Sequence, residues 1–442
     1  MKYIITIFWL FQLLLFMTGC YDDLVSVQNA PADVYAGDIA HKWLDMELKL
    51  IKAPGSGFTP PVASRALGYT GLTLYESVVP GMEGYQSLRF PLKMSVNLPK
   101  IRYSQEYHWG LSANAAMAQI IRQLYDNASE ENLAAIDALE QEQRTAMVQS
   151  VADTAIANRS EAFGRTVADA IYLWSSVDGG HMGYAKNTDP NYVPPVGPGL
   201  WVPTSAAFPQ PVQPYWGRNR AFVPENLQPP CLPSAPREFS TDVASAFYQD
   251  ALRVYEVSIS LTQGQKDIAL FWADGGGTLT PPGHSMSIAR QVLVKENAGL
   301  GRTAEVYAKV GMAVSDAFVS CWKGKYLYNV LRPVTFIRQY IDEDWSPFIT
   351  TPSFPEYCSG HSTQSGASIQ VLTDLFGDNY TFTDRTHEGT YAPRTFTSFM
   401  EAGQEATVSR LYGGIHYEPS NDRGLVSGIE IGKNISNIAF KK

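Results

Sequence analysis

Three short stretches in the last third of the chain bring together residue types able to hold an oxyanion and move a proton. The first is Lys325-x6-Arg332-Pro333, within the run from Cys321 to Pro333. Seven residues make nearly two helical turns, so Lys325 and Arg332 are expected on one helix face with Trp322 and Asn329. Pro333 disfavours helical geometry at Arg332 and sets its guanidinium at a helix end. Taken alone, such a pair also describes an ordinary solvated face. The second stretch is Ser359-Gly360-His361, followed by a helical pattern through Ile369, Leu372 and Phe376. A Ser-Gly pair opening a helix presents backbone N–H groups and the positive end of the helix dipole to an anion. His361 then stands at the rim, where an imidazole can exchange a proton with a bound oxygen. Taken alone, these residues also describe a helix cap beside a surface histidine. The third stretch is Ser409-Arg410-Leu411-Tyr412-Gly413-Gly414-Ile415-His416. Six residues turn about 240° around a helix, so Arg410 and His416 converge only if the helix breaks, which Gly413-Gly414 permits. His416 offers an imidazole nitrogen to a metal or to phosphorus, or is a satisfied core histidine.

Together and in this order, the three stretches resemble the signature shared by vanadium-dependent haloperoxidases and PAP2-type acid phosphatases. The resemblance extends through roughly Thr241 to Lys442, and the N-terminal half resembles bacterial secreted relatives more loosely. It implies that His416 binds vanadium axially or attacks phosphorus, that His361 is the general acid–base, and that Lys325, Arg332, Ser359, Gly360 and Arg410 hold the equatorial oxygens. Two Arg forks and one ammonium can offset most of the charge of a tetrahedral oxyanion in a low-dielectric pocket. In the peroxidase reading the cofactor is vanadate, a Lewis acid toward hydrogen peroxide, and Lys325 withdraws further charge before halide attacks. In the phosphatase reading the substrate is a phosphate monoester and no cofactor is needed.

The sequence departs from that pattern at two positions. Cys358 stands where Pro is common before the Ser-Gly pair, and Ser420 stands where an acidic residue usually follows the second histidine by four. The partner orienting His416 is therefore open, with Glu418 and Asp422 nearby, and a missing carboxylate disfavours phosphoryl transfer more than metal ligation. Trp322 and Phe354 stand at spacings where chloroperoxidase-like members place an aromatic wall, or are core aromatics. Asp274, in a glycine-rich turn, is a candidate to orient His361, and His284 is expected to cap the helix that follows it.

The elements that must position these groups are helical almost throughout, so the fold is expected to be all-α, of the haloperoxidase and PAP2 bundle type. Apolar periodicity marks Phe163 to Trp174 and Val243 to Val254, and further helices are expected over Asp38–Ile51, Val62–Ser77, Ser104–Tyr125, Glu131–Gln149, Gln265–Asp274, Ser285–Asn297 and Thr303–Leu331. Between 189 and 236 the chain is crowded with Pro and Gly, which break helix and strand alike. That segment divides an N-terminal helical region (21–188) from a C-terminal catalytic bundle (237–442). Its Trp201, Tyr215, Trp216, Arg218 and Arg220 either pack on the bundle as an ordered connector or cover the site.

The chain has 442 residues, 45% apolar and 17% charged, an ordinary globular composition large enough for two helical subdomains or one composite domain. A net charge of −9, with no basic run interleaved with aromatics, argues against a nucleic-acid partner. Lys2, the apolar stretch Ile4 to Met17 and Thr18-Gly19-Cys20 read as an export signal resembling a bacterial lipobox (1–20). Its apolar core is shorter than the roughly 20 residues of a membrane span. The expectation is an exported protein whose only membrane contact is a lipidated Cys20, in the periplasm or at the cell surface. Cys231, Cys321 and Cys358 remain, with no CxxC spacing, so no disulfide scaffold or thiolate zinc site is indicated. Three functions follow: a vanadate-dependent haloperoxidase, a PAP2-type phosphatase working through a phospho-histidine, and an inactive anion-binding lipoprotein.

Overall fold

The computed structural model describes residues 27–204 and 210–442, so the export signal and Cys20 lie outside the described residues. Thirteen α-helices carry the described chain: α1 (Asp38–Lys52), α2 (Pro60–Val78), α3 (Trp109–Leu124), α4 (Glu130–Val148), α5 (Thr154–Ser175), α6 (Ala246–Ile259), α7 (Gln263–Phe271), α8 (Thr280–Lys295), α9 (Leu300–Tyr328), α10 (Pro333–Tyr340), α11 (Gly360–Phe376), α12 (Phe399–Tyr412) and α13 (Glu418–Ser436). A two-stranded antiparallel hairpin, β1 (Phe382–Asp384) with β2 (Arg394–Phe396), is the only sheet among the described residues, so the fold is all-α. No described helix is long and apolar enough to cross a membrane.

The long α9 is buried along most of its length and packs against α2 from the N-terminal half and α11 from the C-terminal half. One continuous hydrophobic core, from Ala32 to Phe440, joins both halves through it. Small residues set the closest approaches. A Cβ on Gly311 of α9 would stand 2.5 Å from the Leu67 carbonyl oxygen of α2, and one on Gly428 of α13 would stand 2.0 Å from that of Thr363 on α11. The site-bearing helices are thus held backbone to backbone.

The sequence places most helices within a few residues, and the misses are informative. Val243 lies outside α6 and is 63% exposed, because Ser245 caps the helix through the Tyr248 amide. α9 ends at Tyr328, where Asn329 takes a left-handed conformation (φ 47°), and Arg332 precedes Pro333 in extended geometry. Lys325 and Arg332 therefore do not share a helix face. The Pro/Gly-rich segment holds that break open: Trp201 donates its amide to the Asn329 carbonyl (2.7 Å) and Leu331 donates to Gly199 (3.0 Å). Trp201 and Trp216 are buried, and Arg220 lies 4.1 Å from the Trp174 ring centroid. Asp316 of α9 anchors the same segment, accepting from the Phe222 and Val223 amides and the Asn226 side chain. The described residues of the segment pack on the bundle as a connector.

Candidate active site

Lys325 leaves the last turn of α9, Arg332 stands between α9 and α10, and both side chains are fully buried. Nζ of Lys325 donates to the carbonyls of Pro355 (3.0 Å), Glu356 (2.9 Å) and Cys358 (2.6 Å). An ammonium has three protons, so all of its donors are engaged in pinning the 355–358 loop. Lys325 thereby supplies positive charge and fixes the loop geometry beside the site. Arg332 donates through Nε to Phe354 O and through Nη1 to Ile415 O and to Nε2 of His416 (3.1 Å). Its Nη2 is buried with no hydrogen-bond partner among the described residues.

Ser359 is the N-cap of α11, its hydroxyl accepting from the Ser362 amide, and Gly360 is the first helical residue. A Cβ on Gly360 would meet nothing closer than Trp322 at 3.4 Å, so the first turn faces the Trp322 side without obstruction. His361 follows, partly exposed, with Nε2 3.3 Å from Nη1 of Arg410 and a hydrogen bond to the Ala273 backbone. Arg410, near the end of α12, is buried and anchored by Trp272 O (2.6 Å), Ala269 O and the Ser409 hydroxyl. α12 stops at Tyr412, and Gly414 turns the chain through a left-handed conformation (φ 74°) two residues before His416.

Both imidazoles present an acceptor to the same space. Arginine only donates, so the ring nitrogen facing each guanidinium carries the lone pair. For His416 the tautomer is fixed from behind: Nδ1 lies 2.7 Å from Oε1 of Glu356, which also accepts from the Tyr417 amide. Glu356 is the functional residue that sequence reasoning missed. The carboxylate absent at Ser420 is supplied instead from the loop five residues before His361, and Ser420 lies beside Glu356. The only sequence signal was an acidic residue beside a proline in an otherwise apolar run, Phe354-Pro355-Glu356-Tyr357.

The electrostatics describe a site poised for an anion. Burial holds the His416 imidazole well below its ordinary range, with Arg332, Lys325, Arg410 and His361 adding to the effect, so all these groups lie within electrostatic reach of one another. Burial and Arg410 do the same to His361. Burial lowers Lys325 to about 8 and both Arg332 and Arg410 to about 10, and it raises Glu356 to about 7 against the pull of Arg332 and Lys325. Three buried cations thus face one buried carboxylate and two neutral imidazoles, an imbalance that an oxyanion would relieve. Trp322 and Phe354 pack together (centroids 4.9 Å), with the Lys325 ammonium 5.1 Å and the Arg332 guanidinium 5.0 Å from the Phe354 ring, and so line the cations.

Two expectations are corrected here. Asp274 does not reach His361, which hydrogen-bonds to the Ala273 backbone instead, because Asp274 is held by His284 (2.9 Å) and His387 (3.0 Å). His284 is not a cap either: it sits inside α8, buried, because that helix begins at Thr280. Cys321 and Cys358, beside the site, are free thiols, as is Cys231.

The structure is similar to that of a protein described as the first bacterial vanadium-dependent iodoperoxidase, with a TM-score of 0.82 and 31% identity over 92% of this chain and 98% of that one. The chain belongs to the vanadium-dependent haloperoxidase family. The model of the VCPO second helical-bundle domain matches residues 305–343 and 340–441 of this haloperoxidase-family chain, which include every residue of the three sequence stretches. Vanadium chloroperoxidase of Curvularia inaequalis is 30% identical over 162 residues, covering 29% of this chain and 27% of that protein. The chain thus spans about a quarter of that curated relative. A holo-type bacterial vanadium-dependent chloroperoxidase shares the fold, with a TM-score of 0.65 and 16% identity over 88% of this chain and 94% of that one. The chain is accordingly an enzyme of the haloperoxidase and PAP2 superfamily.

Proposed function

We propose that this enzyme binds vanadate at the buried cationic site and uses hydrogen peroxide to oxidise a halide by two electrons to hypohalite, the peroxide being reduced to water. The observation that carries this reading is the state of His416, whose Nε2 lone pair is turned into the cationic pocket by Glu356 behind and Arg332 beside it. The residues present fit a tetrahedral oxyanion. Arg332 Nη2 is a buried donor with no partner among the described residues, the Ser359-capped helix presents its first-turn amides, and the local charge is positive. His416 would ligate vanadium, and Arg332, Arg410, Ser359 and Gly360 would hold its oxygens, with Lys325 lending charge. Vanadate, when bound, supplies a Lewis acid that draws electron density from hydrogen peroxide. His361, neutral and partly exposed, takes and returns the proton at Nε2, held in position by Arg410. Trp322 and Phe354 line the cationic groups with apolar surface and limit water there.

Iodide is the first halide to test, because the relative matched over nearly the whole chain is described as an iodoperoxidase. A second reading, hydrolysis of a phosphate monoester through a phosphorylated His416, is favoured by one observation: Glu356 restores the carboxylate–imidazole pair that a nucleophilic histidine uses. Apo protein assayed with and without orthovanadate separates the two. Peroxide-dependent iodide oxidation that requires vanadate supports the first, whereas hydrolysis of p-nitrophenyl phosphate inhibited by vanadate overturns it in favour of the second. We also propose that the protein acts outside the cytoplasm, tethered through a lipidated Cys20. Release of the protein from membranes by Cys20→Ser tests this.

A further inference from the structure

Behind Arg410 lies a second cluster that the proposed reaction does not use. Asp274 leaves the glycine-rich turn after α7, His284 projects from the first turns of α8, and His387 comes from the loop joining β1 to β2. Asp274 and His284 are 1% exposed at their side chains and His387 12%. His284 places Nδ1 2.9 Å from Oδ2 of Asp274 and Nε2 2.7 Å from Oδ2 of Asp384, while Nε2 of His387 lies 3.0 Å from Oδ1 of Asp274. One donor atom from each of Asp274, His284 and His387 falls within 4.8 Å of the other two.

We propose that Asp274, His284 and His387 form a binding site for a zinc-class divalent cation, with Asp384 orienting His284. Two imidazoles and one carboxylate are the donor set of three-ligand zinc sites, which keep a further position for water. Asp384 completes the pattern. It is hydrogen-bonded at the ring nitrogen remote from the site, as outer carboxylates hold metal-binding histidines, and is itself fixed by the Thr386 amide (2.9 Å). Each ring nitrogen of His284 faces a carboxylate, Nε2 that of Asp384 and Nδ1 that of Asp274, so a cation bound at Nδ1 would take the place of the proton shared with Asp274. Ligand atoms bound at about 2.0–2.1 Å in tetrahedral geometry stand roughly 3.3 Å apart, a spacing that the three donor atoms, all within 4.8 Å of one another, reach by small side-chain rotations. Asp274 adopts a left-handed backbone conformation (φ 43°), uncommon for a residue other than glycine, which aims its carboxylate between the two rings. Trp272 stacks on His284 (4.6 Å, 17°) and Phe271 meets His387 edge-on (5.3 Å, 90°), fixing both rings.

The bound ion would also serve the neighbouring site. The turn it fixes carries Trp272 O, which anchors Arg410, and the Ala273 backbone, which holds His361.

The test uses full-length protein with no vanadate present, so its outcome is independent of the peroxidase reading. Protein stripped with dipicolinate and then offered Zn2+ should take up about one equivalent, measured by mass spectrometry of metals after dialysis. Its unfolding temperature should rise by about 3 °C at a hundredfold excess over Kd. His387→Ala, at the least buried ligand, should lose both responses. Asp384→Asn should weaken Zn2+ binding roughly 10- to 100-fold, and His416→Ala should retain it. Folded wild-type protein that neither takes up Zn2+ nor shifts its unfolding temperature overturns the proposal, and so does a His387→Ala variant with wild-type Zn2+ affinity. In either case shared protons hold the cluster together.

Discussion

Two buried polar clusters lie either side of Arg410, and they are built on opposite principles. Around His416, three cations face one carboxylate, Arg332 keeps a donor without a partner among the described residues, and both imidazoles turn lone pairs inward. Around His284, two carboxylates and two imidazoles face one another. The first arrangement is short of negative charge and the second of positive charge. Buried charge is costly unless matched, so each cluster specifies the sign of what completes it. Arg410 and the turn Trp272-Ala273-Asp274 form the wall between them.

The largest expected effect comes from removing the centre of the first cluster. His416→Ala should lower vanadate-dependent iodide oxidation at least about 1,000-fold, measured as kcat/KM after preincubation with orthovanadate. Residual activity within tenfold of wild type would break the assignment of His416. Next comes the tautomer that Glu356 imposes. Glu356→Gln should weaken orthovanadate binding roughly 10- to 100-fold in equilibrium dialysis. Adding Ser420→Asp should recover part of that loss, since residue 420 sits against Glu356. Absence of any recovery would show that the two carboxylate positions are not interchangeable.

A third prediction widens the comparison to buried carboxyls held only by neutral donors. Burial raises Glu47 and Glu76, from 4.5, and Asp316, from 3.8, to about 7, despite hydrogen bonds from Thr70 and Tyr125, from the Leu88 amide, and from the Phe222 and Val223 amides with Asn226. Their folded pKa values exceed the unfolded ones, so the folded state keeps protons that the unfolded state releases. Their contribution to stability should therefore fall as pH rises from about 4 to about 7 and level off above. Asp274 and Asp384 are shifted the other way: their charged neighbours outweigh burial and lower them, so their contribution changes only below about pH 4. Because His41, His361 and His416 are held low and act in the opposite sense below pH 6.5, the check is a difference: Glu76→Gln should lose less stability than wild type between pH 5 and pH 8 in urea denaturation, and identical profiles would contradict it. The smallest effect concerns the cap of α11. Ser359→Ala should cost about 1 kcal/mol of stability in urea denaturation, while lowering vanadate affinity less than Glu356→Gln does.

Much of the site was legible before the fold was known. Ser359 and Gly360 open a helix because a short hydroxyl caps it and glycine allows close approach, which are local properties of those residues. The helix carrying Arg410 breaks at Gly413-Gly414 for an equally local reason. The relation of Lys325 to Arg332 was not legible, since a helix continued by periodicity is ended instead by Asn329 and by a connector strand about 130 residues earlier in the chain. Glu356 and His387 were missed, and His284 was given another role, because their partners lie far off in the chain: 60 residues separate Glu356 from His416, 113 separate Asp274 from His387, and 100 separate His284 from Asp384.

By itself, then, the sequence determined the helical class, the three stretches that carry the cationic site and the groups able to act there. Helix periodicity, capping and chain breaking are short-range effects that operate within a turn or two of each residue. Tertiary structure alone decided which carboxylate orients His416, how the donors of Lys325 are engaged, and that Asp274 belongs to a second cluster. Those choices depend on the desolvation of charged groups brought together from distant segments, and burial of that kind exists only once α9, α11, α12 and α13 have packed.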